Sequence, residues 1–140
     1  MATSYCSQAT PSTHYMELLG MALCVFNSNN AFIIENILRN DANSTYTWHD
    51  LIDRTSGNLS SPIKETITKF SGTQIACWFE TMISKRNRIV HSFQITHNGE
   101  QKLATKDKAN KQFIITESYL KEFIKENGEL SKLLHVHRGH

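Results

Sequence analysis

Three side chains that could act on a phosphodiester lie close together in the sequence. Arg86 and Asn87 are followed by His91, in a segment that also contains Lys85 and Arg88. Histidine can move a proton near neutral pH, and the planar guanidinium of arginine suits the charge that grows on a phosphate. On a helix, Asn87 and His91 share a face, whereas Arg86 lies about 140° around the axis from His91. The segment therefore predicts phosphodiester chemistry without a metal ion, if Arg86 curls towards His91 or meets it across an interface.

Simpler explanations of the histidines stay open. A histidine at the carboxyl end of a helix is stabilised by the free carbonyl groups there, and His91 would then have no chemical role, with the neighbouring arginines in solvent. His135, His137 and His140 form an HxHxxH pattern that a metal ion could use. With no cysteine nearby, we expect a mobile tail instead. The sequence thus predicts no metal site and no cofactor.

The segment Arg86-Asn87-x-x-x-His91 resembles the Arg-x4–6-His motif of HEPN domains, the higher eukaryote and prokaryote nucleotide-binding family. That family favours a polar residue after the arginine and carries the motif late in a helix of a small helical bundle. The resemblance implies cleavage of single-stranded RNA to a 2′,3′-cyclic phosphate, with Arg86, Asn87 and His91 as catalytic residues. It also implies a homodimer that unites two motifs, and a role as a toxin or defence effector restrained by an antitoxin or regulatory protein. Some HEPN toxins carry a modifiable tyrosine two residues after the histidine, where this chain has Phe93.

Charge is distributed unevenly along the chain. Residues 1–60 contain two arginines and five acidic residues, a net charge of −3, whereas residues 61–140 contain thirteen basic and eight acidic residues, a net charge of +5. The positive charge of residues 61–140 forms either a solvated face or a patch that attracts a polyanion such as RNA. The residues that we predict to bind RNA are Lys85, Arg88, Lys102, Lys106, Lys108 and Lys111.

The spacing of apolar residues predicts a mostly helical chain, with helix starts marked by capping residues and prolines. Predicted helices begin at Thr10-Pro11, at Thr47 (ending near Arg54), at Ser61-Pro62 (ending near Phe70), at Thr73 (ending at His91) and at Thr116-Glu117 (extending to Leu133). The first helix is either long and kinked or broken in two near residues 27–30.

A change of period after His91 predicts a small β-structure before the last helix. Asn98-Gly99 is a strong hairpin signal. A strict two-residue loop would pair Ile95 with Lys102, whereas a bulge or a longer loop would place the apolar residues on one face. The fold class is therefore mostly α, an antiparallel helical bundle of four to five helices with a small β-hairpin or meander. We expect a flexible N-terminal tail at 1–10, one domain at 11–135 and a C-terminal tail at 136–140.

Composition also bears on the compartment and on rival functions. Three cysteines form no CxxC pair, the start does not resemble a signal peptide, and no run approaches the ~18 apolar residues of a membrane span. We therefore expect a cytoplasmic protein without a membrane partner. Two alternatives to a ribonuclease stay open. One is a catalytically silent HEPN-like module that binds a nucleotide or a protein, and the other is an interaction subunit whose basic loop docks an acidic partner.

Overall fold

The computed structural model describes residues 7–139, so that residues 1–6 of the predicted N-terminal tail and residue 140 lie outside the described residues. Within that range the chain forms six α-helices, a 3₁₀ turn and a three-stranded antiparallel sheet. The elements are α1 (Thr13–Arg39), α2 (Trp48–Ile52), the 3₁₀ turn (Ser56–Leu59), α3 (Ser60–Glu65), α4 (Ile67–Ser71), α5 (Gln74–Val90), β1 (Phe93–His97), β2 (Glu100–Lys106), β3 (Gln112–Ile115) and α6 (Glu117–Arg138). The prediction of a mostly helical chain with a small sheet before the last helix is confirmed.

Three long helices, α1, α5 and α6, dominate the fold, and their directions differ from the prediction. The Tyr15 hydroxyl donates to the Ile115 carbonyl oxygen at 2.6 Å, and Asn40 Nδ2 lies 2.8 Å from His137 Nε2. Because both ends of α1 meet the corresponding ends of α6, these two helices run parallel. α5 runs the opposite way, since Ser71, just before it, contacts His137 at the end of α6. An antiparallel bundle of four to five helices is therefore not confirmed.

The core lies where the three long helices meet. Phe26 of α1 stacks on Phe79 of α5, with ring centroids 6.0 Å apart, and on Phe123 of α6, with centroids 6.4 Å apart. A buried amide pair follows one turn further on, where Asn29 Nδ2 donates to the Asn127 carbonyl oxygen at 2.8 Å and to its Oδ1 at 3.1 Å. Apolar contact supplies most of the stabilisation, while the paired amides leave few unsatisfied polar groups in the core.

Helix boundaries agree with the sequence where a local cap determines them. The Thr47 hydroxyl accepts from the Asp50 N–H, which confirms the predicted cap of α2. α1 is continuous and begins at Thr13, because Ser12 rather than Thr10 caps it. The helix predicted from Ser61-Pro62 is divided into α3 and α4 at Thr66, where φ is −121° and ψ is −81°. α6 continues to Arg138, so that residues 136–138 belong to a helix and not to a C-terminal tail.

The sheet is a meander with the strict two-residue hairpin loop. Asn98 and Gly99 have φ values of 51° and 78°, as a type I′ turn requires, and Ile95 pairs with Lys102. The alternative of a bulge or a longer loop is therefore wrong. One face of the sheet packs on the core through Ile115, whereas Phe93 on the other face is 50% exposed.

In the described part of the chain, α1 is the one helix that is long and apolar enough to cross a membrane, judged by length and composition alone. Core helices of soluble proteins meet the same test. Here α1 contributes core residues from Tyr15 to Ile37. The absence of a membrane partner stays a prediction.

Candidate functional site

A basic groove lies at the end of the molecule where α5 ends and α6 begins. Its volume is about 650 Å³. Its walls are the last turns of α5, the loop between β2 and β3, and the first turn of α6, which together contribute Ser84, Lys85, Asn87, Arg88, Lys106, Asp107, Lys108, Ala109, Phe113 and Tyr119. We call this set the basic groove. It contains four of the six residues predicted to bind RNA: Lys85 and Arg88 come from α5, Lys106 from the end of β2 and Lys108 from the loop after β2.

The cations of the basic groove differ in how they are neutralised. Lys85 Nζ lies 2.5 Å from Glu126 Oε1 and 3.9 Å from Glu122 Oε1 on α6. Arg88 Nη1 donates to the Lys106 carbonyl oxygen at 2.7 Å, which leaves its charge without a counterion. Among the described residues, no carboxylate lies within 4.0 Å of Arg88, Lys106 or Lys108. Three unpaired cations therefore face the groove, and these can attract an anion.

The loop that carries two of these cations is held by Asp107. Its Oδ1 accepts from the N–H groups of Ala109 and Lys111, each at 2.9 Å, and its own N–H donates to the Lys111 carbonyl oxygen at 2.9 Å. Asn110 turns the chain with φ at 65°. The Asp107 side chain thus accepts hydrogen bonds from the loop, and it fixes the backbone next to Lys106 and Lys108.

Two aromatic side chains line the same groove. Phe113 and Tyr119 pack with ring centroids 5.8 Å apart and an interplanar angle of 49°, and both are half-buried. Burial raises the pKa of the Tyr119 hydroxyl, with a further contribution from the Glu126 carboxylate. The Thr116 cap fixes the start of α6 by accepting from the Tyr119 N–H at 3.0 Å. Neither residue is among those predicted from the sequence, because both also pack against the core and therefore have the spacing of core residues. One signal was available in the sequence. Glu122 and Glu126 lie on the same face of α6 as Tyr119, which indicates that this face is not wholly buried.

Arg86 points towards the helical core. Its guanidinium carbon lies 4.8 Å from the centre of the Phe26 ring, and its Nε donates to Asn87 Oδ1 at 3.1 Å. In the described part of the chain no carboxylate lies within 4.0 Å of it, and burial lowers the pKa of this guanidinium. Asn87 also lines the basic groove, so its amide connects Arg86 to that surface. Arg86 is thus a half-buried cation that no acidic group of residues 7–139 neutralises.

His91 is the residue that ends α5. Its N–H donates to the Asn87 carbonyl oxygen at 2.9 Å, and its carbonyl oxygen accepts from Thr105 Oγ1 at 3.3 Å. The imidazole is exposed, and it makes no hydrogen bond to Arg86 or to any other described residue. Within one chain, the structure therefore places Arg86 and His91 at the same end of α5 but does not join them.

Two of the residues predicted to bind RNA lie outside the basic groove. Lys102 Nζ is 3.6 Å from Glu100 Oε2 and 5.0 Å from the centre of the Tyr15 ring. It lines a separate cavity with His97. Lys111 is exposed and follows the loop that Asp107 holds. Their contact with RNA stays a prediction.

The C-terminal histidines that the structure describes have structural partners. The ring of His135 packs against Phe32, with centroids 4.6 Å apart, and His137 contacts Ser71 and Asn40. Among the described residues, no group of three or more histidine, cysteine or acidic side chains is placed to hold a metal ion. These two histidines thus fasten α6 to its neighbours instead of forming a mobile tail.

Comparison of the chain with protein-family models, with curated proteins and with solved structures gives no match. The unneutralised Arg86, the exposed His91 and the basic groove are therefore the observations from which a function is proposed.

Proposed function

We propose that this chain is a metal-independent endoribonuclease of the HEPN type, which cleaves single-stranded RNA to a 2′,3′-cyclic phosphate. The observation that supports it most is Arg86, which is half-buried against Phe26 and hydrogen-bonded to Asn87, shortly before His91 on the same helix. Arg86 has no acidic partner among the residues that the structure describes. Burying a charge without a counterion is costly, and such groups concentrate at functional sites. A phosphate would supply the missing negative charge.

The proposed reaction requires one proton carrier and one fixed cation. His91 takes the proton of the 2′-hydroxyl, and the 2′-oxygen forms a bond to phosphorus. The bond from phosphorus to the 5′-oxygen breaks, and that oxygen leaves with a proton from the imidazolium of a His91 side chain. Arg86 stabilises the charge on the phosphoryl oxygens, and Asn87 holds its Nε.

A homodimer supplies both groups to one phosphate. Arg86 and His91 do not meet within one chain, and a two-fold axis near the exposed His91 would bring two of each together. Sedimentation at micromolar concentration tests this arrangement. We expect a dimer, and a strict monomer with full activity would contradict the shared site. The cytoplasmic location, the role as a toxin or defence effector and the restraint by an antitoxin or regulatory protein belong to the same proposal.

The experiment is RNA cleavage in EDTA by the wild type, Arg86→Ala and His91→Ala. Loss of a general acid or base lowers the rate by about 10²–10⁴-fold, and we expect both variants to fall in that range. His97→Ala and Arg39→Ala are the matched controls, since both residues are exposed and lie outside the motif. Equal activity in all five proteins would refute the assignment, and loss of activity in EDTA would indicate metal chemistry instead.

One observation favours a second candidate, a catalytically silent HEPN-like module that binds a nucleotide or a protein partner. The His91 imidazole makes no contact with Arg86 within one chain, so Arg86 could bind a phosphate without any proton transfer. The same experiment separates the two functions, because such a module binds RNA or nucleotide without cleaving it.

A further inference from the structure

We infer that the basic groove holds one unpaired nucleotide, with its base against Phe113 and Tyr119 and its phosphates at Arg88, Lys106 and Lys108. The inference rests on the proposed function in that the ligand is RNA, but it concerns binding and not cleavage. It assigns specificity for single strands to two aromatic residues outside the Arg-Asn-x3-His segment.

The dimensions and the lining of the groove suit a nucleotide. Its volume of about 650 Å³ lies within the range of about 300–1,000 Å³ that is typical of sites for small ligands. Both aromatic side chains line this space and are half-buried, so each is anchored in the fold and still reachable from the groove. The two rings are tilted by 49° to each other, and both also pack against the core, which holds them in place.

The charged side chains of the basic groove determine on which side of the two rings a phosphate would bind. Lys85 is held by Glu126 and Glu122 on α6, whereas no carboxylate of the described residues lies within 4.0 Å of Lys106 or Lys108, which line the groove from the end of β2 and the loop after it. Phosphates are therefore attracted to the wall formed by the β2–β3 loop.

The hydroxyl of Tyr119 is protonated at neutral pH, as that of a tyrosine ordinarily is, and burial raises its pKa further, so the ring adds no negative charge. Aromatic rings beside a basic track are the usual means of binding single strands, and a base paired within a duplex could not reach them.

The test compares binding of a short oligouridylate with binding of an oligomer of equal length that has one abasic position. His91→Ala serves as the background, so that cleavage is slow enough for equilibrium binding to be measured. Stacking of one base contributes about 5- to 150-fold in affinity, and we expect the abasic oligomer to bind more weakly by a factor in that range. Tyr119→Leu should remove most of this difference, while Tyr119→Phe should keep it. Tyr46→Leu, a half-buried tyrosine outside the groove, should also keep it.

A second measurement leaves every groove residue intact. Oligonucleotides that contain 5-iodouridine, bound to the same His91→Ala background and irradiated, should crosslink to Tyr119 or Phe113. Crosslinks that form only elsewhere, or equal affinities for the two oligomers, would overturn the inference. Cleavage assays report on the proposed function separately: a base-dependent affinity that Tyr119→Leu abolishes would support the subsite even if no variant cleaved RNA.

Discussion

Lys106 and Lys108 flank Asp107, whose side chain fixes the loop after β2, and no carboxylate within the described chain neutralises either lysine. Changing both to glutamine should lower the salt dependence of RNA binding by a predictable amount. Each phosphate contact to a single strand contributes about 0.7 to the slope of log affinity against log salt concentration. Three unpaired cations therefore give a slope of about −2, and the double variant retains about −0.7 from Arg88. Doubling the salt concentration should then weaken binding about 4-fold in the wild type but only about 1.6-fold in the variant.

The assay is equilibrium binding of oligouridylate to His91→Ala across a salt series, with and without the two substitutions. Lys64→Gln/Lys69→Gln is the matched control, because it also removes two charges from exposed lysines, and these line other cavities. Lys102→Gln tests whether the RNA-binding surface extends beyond the basic groove. A smaller salt dependence in this variant would show that Lys102 also contacts a phosphate. An unchanged slope in Lys106→Gln/Lys108→Gln, or an equal decrease in Lys64→Gln/Lys69→Gln, would refute the idea that the groove contacts phosphates.

Two further predictions concern stability. Burial lowers the pKa of His137, and Asn40 Nδ2 donates to its Nε2, which only a neutral ring can accept. The unfolded chain therefore binds this proton at a higher pH than the folded chain, so the free energy of unfolding should fall as the pH drops below about 6.5. Denaturant unfolding across a pH series should show a flatter profile for His137→Gln, and an identical profile would contradict this reasoning. Tyr15→Phe removes a buried hydroxyl that donates to the Ile115 carbonyl oxygen and accepts from the Leu103 N–H. We expect it to lower the free energy of unfolding by about 1–3 kcal/mol, and a thermal transition at the wild-type temperature would show that the two groups find other partners.

The sequence predicted those elements of the fold that depend on neighbouring residues. Thr47 caps α2 through its own hydroxyl, and Asn98-Gly99 supplies the two positive φ values that a two-residue hairpin requires. The division at Thr66 gave no such signal, because Ile63 and Ile67 on either side keep helical spacing and both are buried. The end of α6 was placed too early because the apolar period weakens after Leu133. The stop signal is Gly139, which adopts the left-handed conformation with φ at 95°.

The candidate site was only partly predictable for the same reason. Arg86 and His91 lie in one helix, so their spacing is visible in the sequence. The packing of Arg86 on Phe26, a residue of another helix, is not. Tyr119 and Phe113 have the spacing of core residues, and only the assembled groove shows that they also reach solvent. The direction of α1 relative to α6 depends on contacts between distant segments, which apolar periodicity alone cannot determine.

The parallel course of α1 and α6 also shapes the electric field of the molecule. Each helix carries a macrodipole equivalent to roughly half a positive charge at its first turn and half a negative charge at its last turn. α1 and α6 both begin at the end of the molecule where α5 terminates, so two positive ends and one negative end meet there. Their sum is roughly half a positive charge, contributed by backbone amides and independent of any side chain. Within about one helical turn of this end, backbone amides therefore add to the attraction that the lysines exert on an anion, and Glu117 in the first turn of α6 opposes it.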